Sequence, residues 1–525
     1  MRSAVPFSAL VLALALCAVV ATASKNSSPV LVVPTESGLV QGFVQNDLAR
    51  AFLGIPFADP PLGAKRFGVA TPAAPWTGVY NATAFPKPCI QSSTVGVEDC
   101  LYLNVFTPKN AKAGDKLPVM VWIHGGRYWA GQTDQYQGQW LAGNGNVVLV
   151  TIQYRLNTLG FFATPELVDA GSINVGFQDQ ILAVEWVRNN IANFGGDRKE
   201  ITLFGESAGG NAAMLHTMVH KYTNPGAYLE YAENVILHST WQWVMPTLAQ
   251  QLSASIKFAA SKGCNQTASA DMLACMRALP VKNVTSGYVN YFQPSVDGIF
   301  LTDQPYNLVK RGEYNTDVNV IIGYTADEGN YLALSRNSYK PPSANLTEAD
   351  YIRVVKTNSL RFWLTDEQID NVFGWYAAHT AAVGYWYGEA QLLGDFYVNC
   401  GQPGRALLRQ ARPDLRLPVE LHEPQLPRQF LQAAHGNELP YVFNATVYTP
   451  YAFAPSDYAL ASRMIAAWSR IADKGKPDSS EWPKYKKNRP TDADLNPPTR
   501  TVPFLQSNFC ANWEPIFSTN SVVQP

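Results

Sequence analysis

The sequence predicts an α/β domain with a large, mostly parallel central sheet, helices on both of its faces and helical insertions. Short, nearly unbroken apolar runs rich in Val and Ile recur along the chain, as in strands that are buried on both faces. Stretches with helical spacing separate these runs, and such alternation is typical of an α/β domain. The runs are residues 119–123, 147–152, 201–204, 235–237, 318–322 and 417–421.

Two helices can be assigned between these runs. Residues 178–193 carry apolar side chains at helical spacing, and residues 208–219 directly follow a strand run. The stretches 242–290 and 330–410 lack the alternation, so we expect them to be helical insertions. Length alone would suggest about three domains. The pattern instead predicts one large domain over residues 24–525.

The first 23 residues are typical of a secretory signal peptide. A basic residue at position 2, an apolar segment at about residues 10–20 and small residues at 21–23 predict cleavage after Ala23. The apolar segment is shorter than the roughly 20 residues that span a bilayer, so a membrane anchor is the weaker interpretation. We therefore expect a secreted, extracellular chain with no membrane span after processing.

The cysteines and glycosylation sequons agree with a secretory route. Cys17 lies in the predicted signal peptide, and six cysteines remain: Cys89, Cys100, Cys264, Cys275, Cys400 and Cys510. An even number in an oxidising compartment favours disulfides over metal ligands, and no CxxC pair is present. Spacing alone suggests only that Cys89–Cys100 and Cys264–Cys275 close short loops. Sequons predict glycosylation at Asn26, Asn81, Asn265, Asn283, Asn345 and Asn444.

Charge and motif content exclude several classes of function. The net charge of -1 gives no reason to expect nucleic acid or an anionic membrane as a partner. Neither a Walker sequence nor GxGxxG is present, so the glycine-rich loop HGGRYWAG (124–131) is not expected to bind phosphate. We expect no cofactor and no metal ion. The oligomeric state has no signal in the sequence.

The strongest single motif is GESAGG at residues 205–210, which follows one strand run and opens a predicted helix. In parallel sheets, functional groups follow the carboxyl ends of the strands. Gly-x-Ser-x-Gly occurs often by chance as an ordinary glycine turn. Between a strand and a helix, however, it is a nucleophile elbow, which raises the serine onto a helix N-terminus. Ser207 is therefore the predicted nucleophile.

A serine nucleophile needs a base to take its proton and an acid to orient that base. After a nucleophile elbow the chain order is Ser, then Asp or Glu, then His. His422 and His435 both follow the last strand run, and Gly436 favours His435 because it gives the backbone freedom. Asp327 and Glu328 both lie in the turn after residue 322, and spacing does not choose between them.

Six segments then carry a family resemblance: GIPFADPPLGAKRF (54–67), EDCLYLNVFTP (98–108), NVGFQDQILAVEWVRNNIANFGGD (174–197), FGESAGG (204–210), GYTADEGNYL (323–332) and HGNELPYVF (435–443). They resemble the type-B carboxylesterase and cholinesterase family of α/β-hydrolases over most of the mature chain. The resemblance implies the α/β-hydrolase fold and two-step acyl transfer through an acyl-enzyme.

The resemblance also implies roles for individual residues. It makes Glu328 the acid and His435 the base of a triad with Ser207. It implies an oxyanion hole formed by the backbone N–H groups of three residues, Gly126, Arg127 and Ala208. The family joins its cysteines consecutively, which implies the disulfides Cys89–Cys100, Cys264–Cys275 and Cys400–Cys510.

Two departures from the family pattern bear on the substrate. Arg127 replaces a family glycine, and its guanidinium has two alternative roles: pairing with an acid away from the site, or lining the pocket and favouring acidic substrates. The loop IQSSTVGVED between Cys89 and Cys100 is short and lacks tryptophan, which argues against a choline site and a large lid. Candidate pocket residues, for which core packing is the alternative, are Tyr128, Trp129, Trp241, Trp243 and Tyr331.

These inferences predict a secreted serine carboxylesterase that acts on small, uncharged or aromatic-acid esters. One alternative is a lipase or sterol esterase with the same triad. Another is a non-catalytic, cholinesterase-like adhesion or binding protein. Proteins of that last kind typically lack a triad residue, whereas this chain has all three.

Overall fold

The computed structural model describes residues 31–221, 224–228, 231–240, 244–285, 292–336, 346–360, 363–400, 433–445, 453–478, 491–494, 500–503 and 508–518. Several sequence predictions lie outside these residues: the signal peptide, the strand run at 417–421, His422, Trp241, Trp243, Asn26 and Asn345. Within the described ranges, no helix combines the length and the apolar character needed to cross a membrane.

A ten-stranded mixed sheet forms the centre of the described chain. The strands of the described residues, inside and outside this sheet, are β1 (Leu31–Thr35), β2 (Gly38–Gln45), β3 (Ala49–Pro56), β4 (Val79–Asn81), β5 (Tyr102–Pro108), β6 (Leu117–Ile123), β7 (Val148–Ile152), β8 (Gly196–Glu206), β9 (His220–Lys221), β10 (Asn224–Tyr228), β11 (Asn234–His238), β12 (Asn319–Gly323), β13 (Thr491–Asp494) and β14 (Arg500–Pro503). The sheet order is β1-β2-β3-β5-β7-β6-β8-β11-β12, with β4 beside β2. The strands β9 with β10 and β13 with β14 form two separate ladders.

The half of the sheet that carries the GESAGG motif is parallel. Strands β7, β6, β8, β11 and β12 pair in parallel in that order, and each overlaps one of the predicted apolar runs. Parallel pairing brings the carboxyl ends of these strands to one edge. The segments that follow Ile123, Glu206, His238 and Gly323 therefore meet there.

The amino-terminal half of the sheet is antiparallel, from β1 through β2, β3 and β5 to β7. Strand β2 has the sequence GLVQGFVQ, in which buried and partly exposed positions alternate. Such a strand lacks the unbroken apolar run that is typical of a strand buried on both faces. The sequence pattern therefore identified the parallel strands and missed β2.

Helices cover both faces of the sheet, as predicted. They are α1 (Gln139–Gly145), α2 (Asn157–Phe161), α3 (Pro165–Asp169), α4 (Val175–Asn190), α5 (Ala208–Met218), α6 (Leu248–Ser261), α7 (Ser269–Ala278), α8 (Val281–Val284), α9 (Pro305–Arg311), α10 (Glu328–Arg336), α11 (Glu348–Val354), α12 (Asp366–Val383), α13 (Tyr385–Gly394), α14 (Leu439–Phe443), α15 (Pro455–Lys474) and α16 (Cys510–Ser518). Both stretches predicted as insertions contain helices, α6 to α8 in the first and α10 to α13 in the second.

Alternate side chains of each central strand enter different cores, because successive residues of a strand point to opposite faces. On β6, Val119, Val121 and Ile123 join the core that α4 and α5 close. Met120 and Trp122 join the opposite core, which α1 and α15 close. Burial of one such side chain contributes about 1.5–3 kcal/mol, so the two cores hold the strand ends in fixed positions.

Three disulfides join Cys89 to Cys100, Cys264 to Cys275 and Cys400 to Cys510. These are the pairs that the family resemblance implies. The last bond joins residues 110 apart, and a loop-entropy treatment assigns such a closure about 4–5 kcal/mol. It ties α16 to the insertion helices, whose side chains form a third core.

Four predicted glycosylation sites lie within the described residues. Asn81, Asn265 and Asn283 are exposed. Asn444 is half-buried and caps α14 in a left-handed backbone conformation. Glycosylation stays a prediction at all of them, and the first three have the accessibility that a glycan needs.

Candidate active site

Ser207 lies in a strained turn between β8 and α5, with φ 59° and ψ −123°. Two glycines make this turn possible. A Cβ on Gly209 would overlap the carbonyl oxygen of Ile123, and a Cβ on Gly205 would overlap the backbone of Gly209. The Ser207 N–H donates to the carbonyl oxygen of His238 at 2.9 Å, which ties the turn to the end of β11. Such a backbone conformation costs about 1–3 kcal/mol, and the packing of the surrounding structure compensates for this cost.

His435 lies just before α14, and its ring is oriented by Glu328. The distance from His435 Nδ1 to Glu328 Oε2 is 2.6 Å. Glu328 Oε1 accepts two further hydrogen bonds, from Ser239 Oγ at 2.6 Å and from the Thr325 N–H at 2.7 Å. An ionised carboxylate only accepts hydrogen bonds, so the proton on Nδ1 faces Glu328 and Nε2 is the atom that can take a proton.

Asp327 has different contacts from Glu328, although the sequence spacing did not distinguish the two as candidates for the acid. Its N–H donates to the carbonyl oxygen of Ala433 at 2.9 Å, and its Oδ2 accepts from the Ala433 N–H at 3.2 Å. These two bonds hold the chain two residues before His435. Glu328 is thus the neighbour that contacts the histidine ring, and Asp327 anchors the segment that carries it.

Glu206 contacts the opposite edge of the His435 ring, which sequence reasoning missed. Its Oε1 is 3.0 Å from His435 Nε2, and both side chains are buried. Burial raises the pKa of Glu206. Burial by itself lowers the pKa of His435, but the charges of Glu206 and then Glu328 outweigh it and raise that pKa. The sequence feature that could have indicated this contact is the position of Glu206 immediately before the elbow serine in GESAGG.

A second buried histidine lies behind this cluster. The indole N–H of Trp468 donates to His238 Nε2 at 2.9 Å. Since the indole is only a donor, Nε2 accepts and Nδ1 carries the proton of a neutral ring. Nδ1 then donates to Glu438 Oε1 at 3.2 Å. Glu438 is one of the charges that raise the pKa of Glu206, so this chain of contacts fixes a carboxylate beneath the site.

The Glu206→Gln variant is predicted to shift the acid limb of the pH–activity profile to lower pH. As the predicted base, His435 must be neutral to take the serine proton, so we expect activity to rise as the pH passes its pKa. Glu206 contributes most to raising that pKa, and an amide removes the charge. The histidine then loses its proton at lower pH. The measurement is kcat/KM for a neutral ester as a function of pH.

Glu200→Gln is the matched control, because Glu200 lies exposed on the same strand, β8. The pH–activity profile of Glu200→Gln should match that of the parent protein. If the acid limb of Glu206→Gln stays in place or moves to higher pH, Glu206 does not control the charge of His435.

The predicted oxyanion loop folds back on itself beside the elbow. The carbonyl oxygen of Gly126 accepts from the N–H groups of Trp129 and Ala130, both at 2.9 Å. Gly126 has φ 100°, and a Cβ there would overlap the carbonyl oxygen of Ala130. Arg127 and Tyr128 both have φ 59°, a left-handed conformation that residues with a Cβ adopt uncommonly. The turn therefore retains the backbone path of a glycine loop despite the arginine.

The loop also packs closely on the nucleophile. A Cβ on Gly125 would come within 3.0 Å of the Ser207 Cβ, so the N–H groups after Gly125 are brought near the serine. Ala208 is the first residue of α5, and the first N–H of a helix has no partner within the helix. The three predicted donors thus belong to two segments in direct contact.

The short disulfide loop holds the oxyanion loop in place. Gln91 Nε2 donates to the carbonyl oxygen of Gly131 at 2.6 Å, and Gln91 Oε1 accepts from the Gly131 N–H at 3.3 Å. Gln91 lies two residues after Cys89, whose disulfide fixes that segment. The disulfide loop therefore stabilises the far end of the oxyanion loop HGGRYWAG. The sequence of the disulfide loop did not indicate this role.

A cavity of about 670 Å³ lies at this edge of the sheet, and its lining includes Ser207, His435, Glu206 and Arg127. Of the predicted aromatic residues, Trp129 and Tyr331 line it. Tyr331 is 46% exposed, and its ring stacks on that of His435 with centroids 6.3 Å apart.

Tyr128 is a correction to the predicted pocket. The side chain is only 1% exposed, and its hydroxyl donates to Asn211 Oδ1 at 2.6 Å. Its ring packs edge-on against Phe161, with centroids 5.5 Å apart. The reversed backbone direction at Arg127 and Tyr128 turns this side chain into the core and leaves the next residue, Trp129, at the cavity.

One cluster within the described residues brings metal-ligand atom types together, namely Asp395, Cys400 and Cys510. The two sulfur atoms are bonded to each other, so neither can act as a thiolate ligand. Asp395 Oδ2 accepts instead from the Tyr376 hydroxyl at 2.7 Å. This cluster is therefore a disulfide beside a hydrogen-bonded carboxylate.

Comparison with known proteins agrees with this geometry. The chain matches the sequence profile of the Carboxylesterase family over residues 29–513. Carboxylesterase 1E of Mus musculus is 31% identical over 536 residues, covering 91% of this chain and 92% of that protein. Acetylcholinesterase of Leptinotarsa decemlineata is 28% identical over 523 residues, covering 88% and 81%.

A third relative is the fatty acyl-CoA hydrolase precursor, medium chain, of Anas platyrhynchos. It is 30% identical over 521 residues, covering 91% of this chain and 90% of that protein. The family match covers every strand of the central sheet and all the residues that line the cavity. The chain therefore belongs to the carboxylesterase family of α/β-hydrolases, and it is a carboxylic ester hydrolase.

Proposed function

We propose that this chain is a secreted serine carboxylesterase that works through an acyl-enzyme. Ser207 Oγ bonds to the ester carbonyl carbon while its proton passes to His435 Nε2. The bond from that carbon to the alcohol oxygen then breaks, and the proton goes to the leaving alcohol. Water repeats the sequence on the acyl-enzyme and restores the serine.

One observation carries the proposal: His435 is held by the buried Glu328 carboxylate at 2.6 Å and lines the same cavity as the strained Ser207. A serine, a base and an orienting acid in one cavity are the parts that acyl transfer requires. Glu328 stabilises the imidazolium that forms when His435 takes the proton. The three other hydrogen bonds to Glu328 and Ser207 keep both groups in position.

The oxyanion would be met by the N–H groups of Gly126, Arg127 and Ala208. Losing one such donor typically lowers the rate about 10²–10³-fold. Arg127 donates through its backbone, as glycine would. Gln91 and the Cys89–Cys100 disulfide support this assignment because they hold the loop rigid.

Secretion is part of the same proposal. Three disulfides in a single chain suit an oxidising compartment. The predicted signal peptide and the exposed sequons agree with that route.

The esterase proposal is preferred over the lipase or sterol esterase because of the short disulfide loop. Ten residues lie between Cys89 and Cys100, and Gln91 is bonded to the oxyanion loop, so this segment supports no large movable lid.

The test compares dissolved 4-nitrophenyl acetate and butyrate with an emulsified long-chain triglyceride. We expect ordinary saturation on the dissolved esters and no rise in rate when substrate passes its solubility limit. Activation at the emulsion surface would favour the lipase. Failure of the disulfide-intact protein to hydrolyse any of these esters would favour the non-catalytic alternative.

A further inference from the structure

Arg127 extends from the oxyanion loop to the opposite wall of the cavity. Its side chain is half-buried and lines the cavity together with Ser207. Arg127 Nη2 is 3.5 Å from Ser335 Oγ on α10. Ser335 Oγ donates its own proton to the carbonyl oxygen of Leu332 at 3.1 Å, so its lone pairs face the guanidinium. The positive charge therefore lies beside α10, in the same cavity as the reacting serine.

The other charged groups that line the cavity offset each other. These are Glu206 and His435, which face one another at 3.0 Å. When Glu206 is ionised and His435 is protonated, the two opposite charges of this contact cancel in the field that a bound substrate meets. Glu206 thus adds little negative potential towards a bound substrate. Arg127 gives the α10 wall a positive charge.

The polar side chains of Gln132, Gln135 and Asn437 also line the cavity. The planar guanidinium of Arg127 suits a carboxylate better than it suits an alkyl chain or a cation. Trp129, Leu332 and Leu439 supply apolar surface in the same lining. The cavity therefore combines apolar surface, the reacting serine and a cationic group.

We propose that Arg127 determines substrate specificity and that the enzyme prefers esters carrying an anionic group, such as monoesters of dicarboxylic acids. This inference rests on the proposed esterase function and extends the expected range beyond uncharged esters. The anionic group would meet Arg127 while the ester carbonyl lies at Ser207. Because this contact forms in the ground state and persists in the transition state, it should act mainly on KM and on kcat/KM.

The test uses two esters of the same leaving group and the same chain length, 4-nitrophenyl pentanoate and mono-4-nitrophenyl glutarate. The readout is the ratio of kcat/KM for the glutarate to kcat/KM for the pentanoate. In Arg127→Gln this ratio is expected to fall about 10-fold or more, through a higher KM for the glutarate. Arg127→Lys keeps a positive charge and should retain an intermediate ratio. In the parent protein the ratio should also fall as salt is added.

The control variant is Arg353→Gln, which removes an exposed positive charge on α11, where Arg353 contacts Asp350. Its ratio should equal that of the parent. An equal ratio in Arg127→Gln and the parent would overturn the role of Arg127 and leave the esterase proposal standing. If the parent hydrolyses neither ester, the proposed function itself fails and this inference falls with it.

Discussion

The Ser207→Ala variant is expected to lower kcat/KM for 4-nitrophenyl acetate about 10⁴-fold or more. Alanine lacks the hydroxyl that the elbow raises to the cavity, so no acyl-enzyme can form on this residue. The oxyanion donors stay in place, and they alone support a small residual rate over water. The backbone strain at position 207 is the same for both side chains, so the fold should persist. Initial rates at substrate concentrations below KM, with a thermal melt of each protein, provide the measurement.

Ser462→Ala is a suitable control, since Ser462 is exposed on α15 and its Oγ donates only to the carbonyl oxygen of Tyr458. This variant should retain the parent activity. A Ser207→Ala protein with substantial activity would mean that another group attacks the ester.

The His435→Ala variant is expected to lose about 10⁴-fold in kcat/KM, because no base remains to take the serine proton. It should also melt at a lower temperature. Removing the ring leaves the buried carboxylates of Glu328 and Glu206 without their partner, and such a loss costs about 3–5 kcal/mol. Activity and melting temperature are measured together, so that loss of the base is distinguished from loss of the fold.

His435→Gln provides a second variant in case the alanine protein unfolds. Its amide can still donate to Glu328 but cannot take a proton, so it should fold and remain inactive. His422→Ala is the matched control from the sequence alternatives and should keep most of its activity. An inactive His422→Ala beside an active His435→Gln would show that the base was assigned to the wrong histidine.

The sequence predicted the parallel strands and the elbow because each depends on local chemistry. An apolar run such as that in β6 is needed wherever both faces of a strand are covered, and two glycines are needed wherever a serine turns directly from strand to helix. The antiparallel strand β2 was not predicted, because it is only partly covered and its polar residues interrupt the pattern. The fold class was therefore accessible from sequence, and the mixed character of the sheet was not.

Contacts between distant segments could not be predicted in the same way. Glu206 lies in the strongest motif, but its contact with His435 depends on how a loop 229 residues further along the chain approaches β8. The choice between Asp327 and Glu328 likewise depends on which carboxylate turns towards that loop. Tyr128 was misplaced because a left-handed turn reverses the side-chain direction at that point.

Labelling with a fluorophosphonate probe tests the central claim most directly, namely that Ser207 is an activated nucleophile. The probe phosphonylates a serine only where a base removes its proton and an oxyanion site receives the phosphoryl oxygen. We expect the parent protein to carry one label on the peptide that contains Ser207, and both Ser207→Ala and His435→Gln to remain unlabelled. An unlabelled parent, or equal labelling of the parent and Ser207→Ala, would contradict the account.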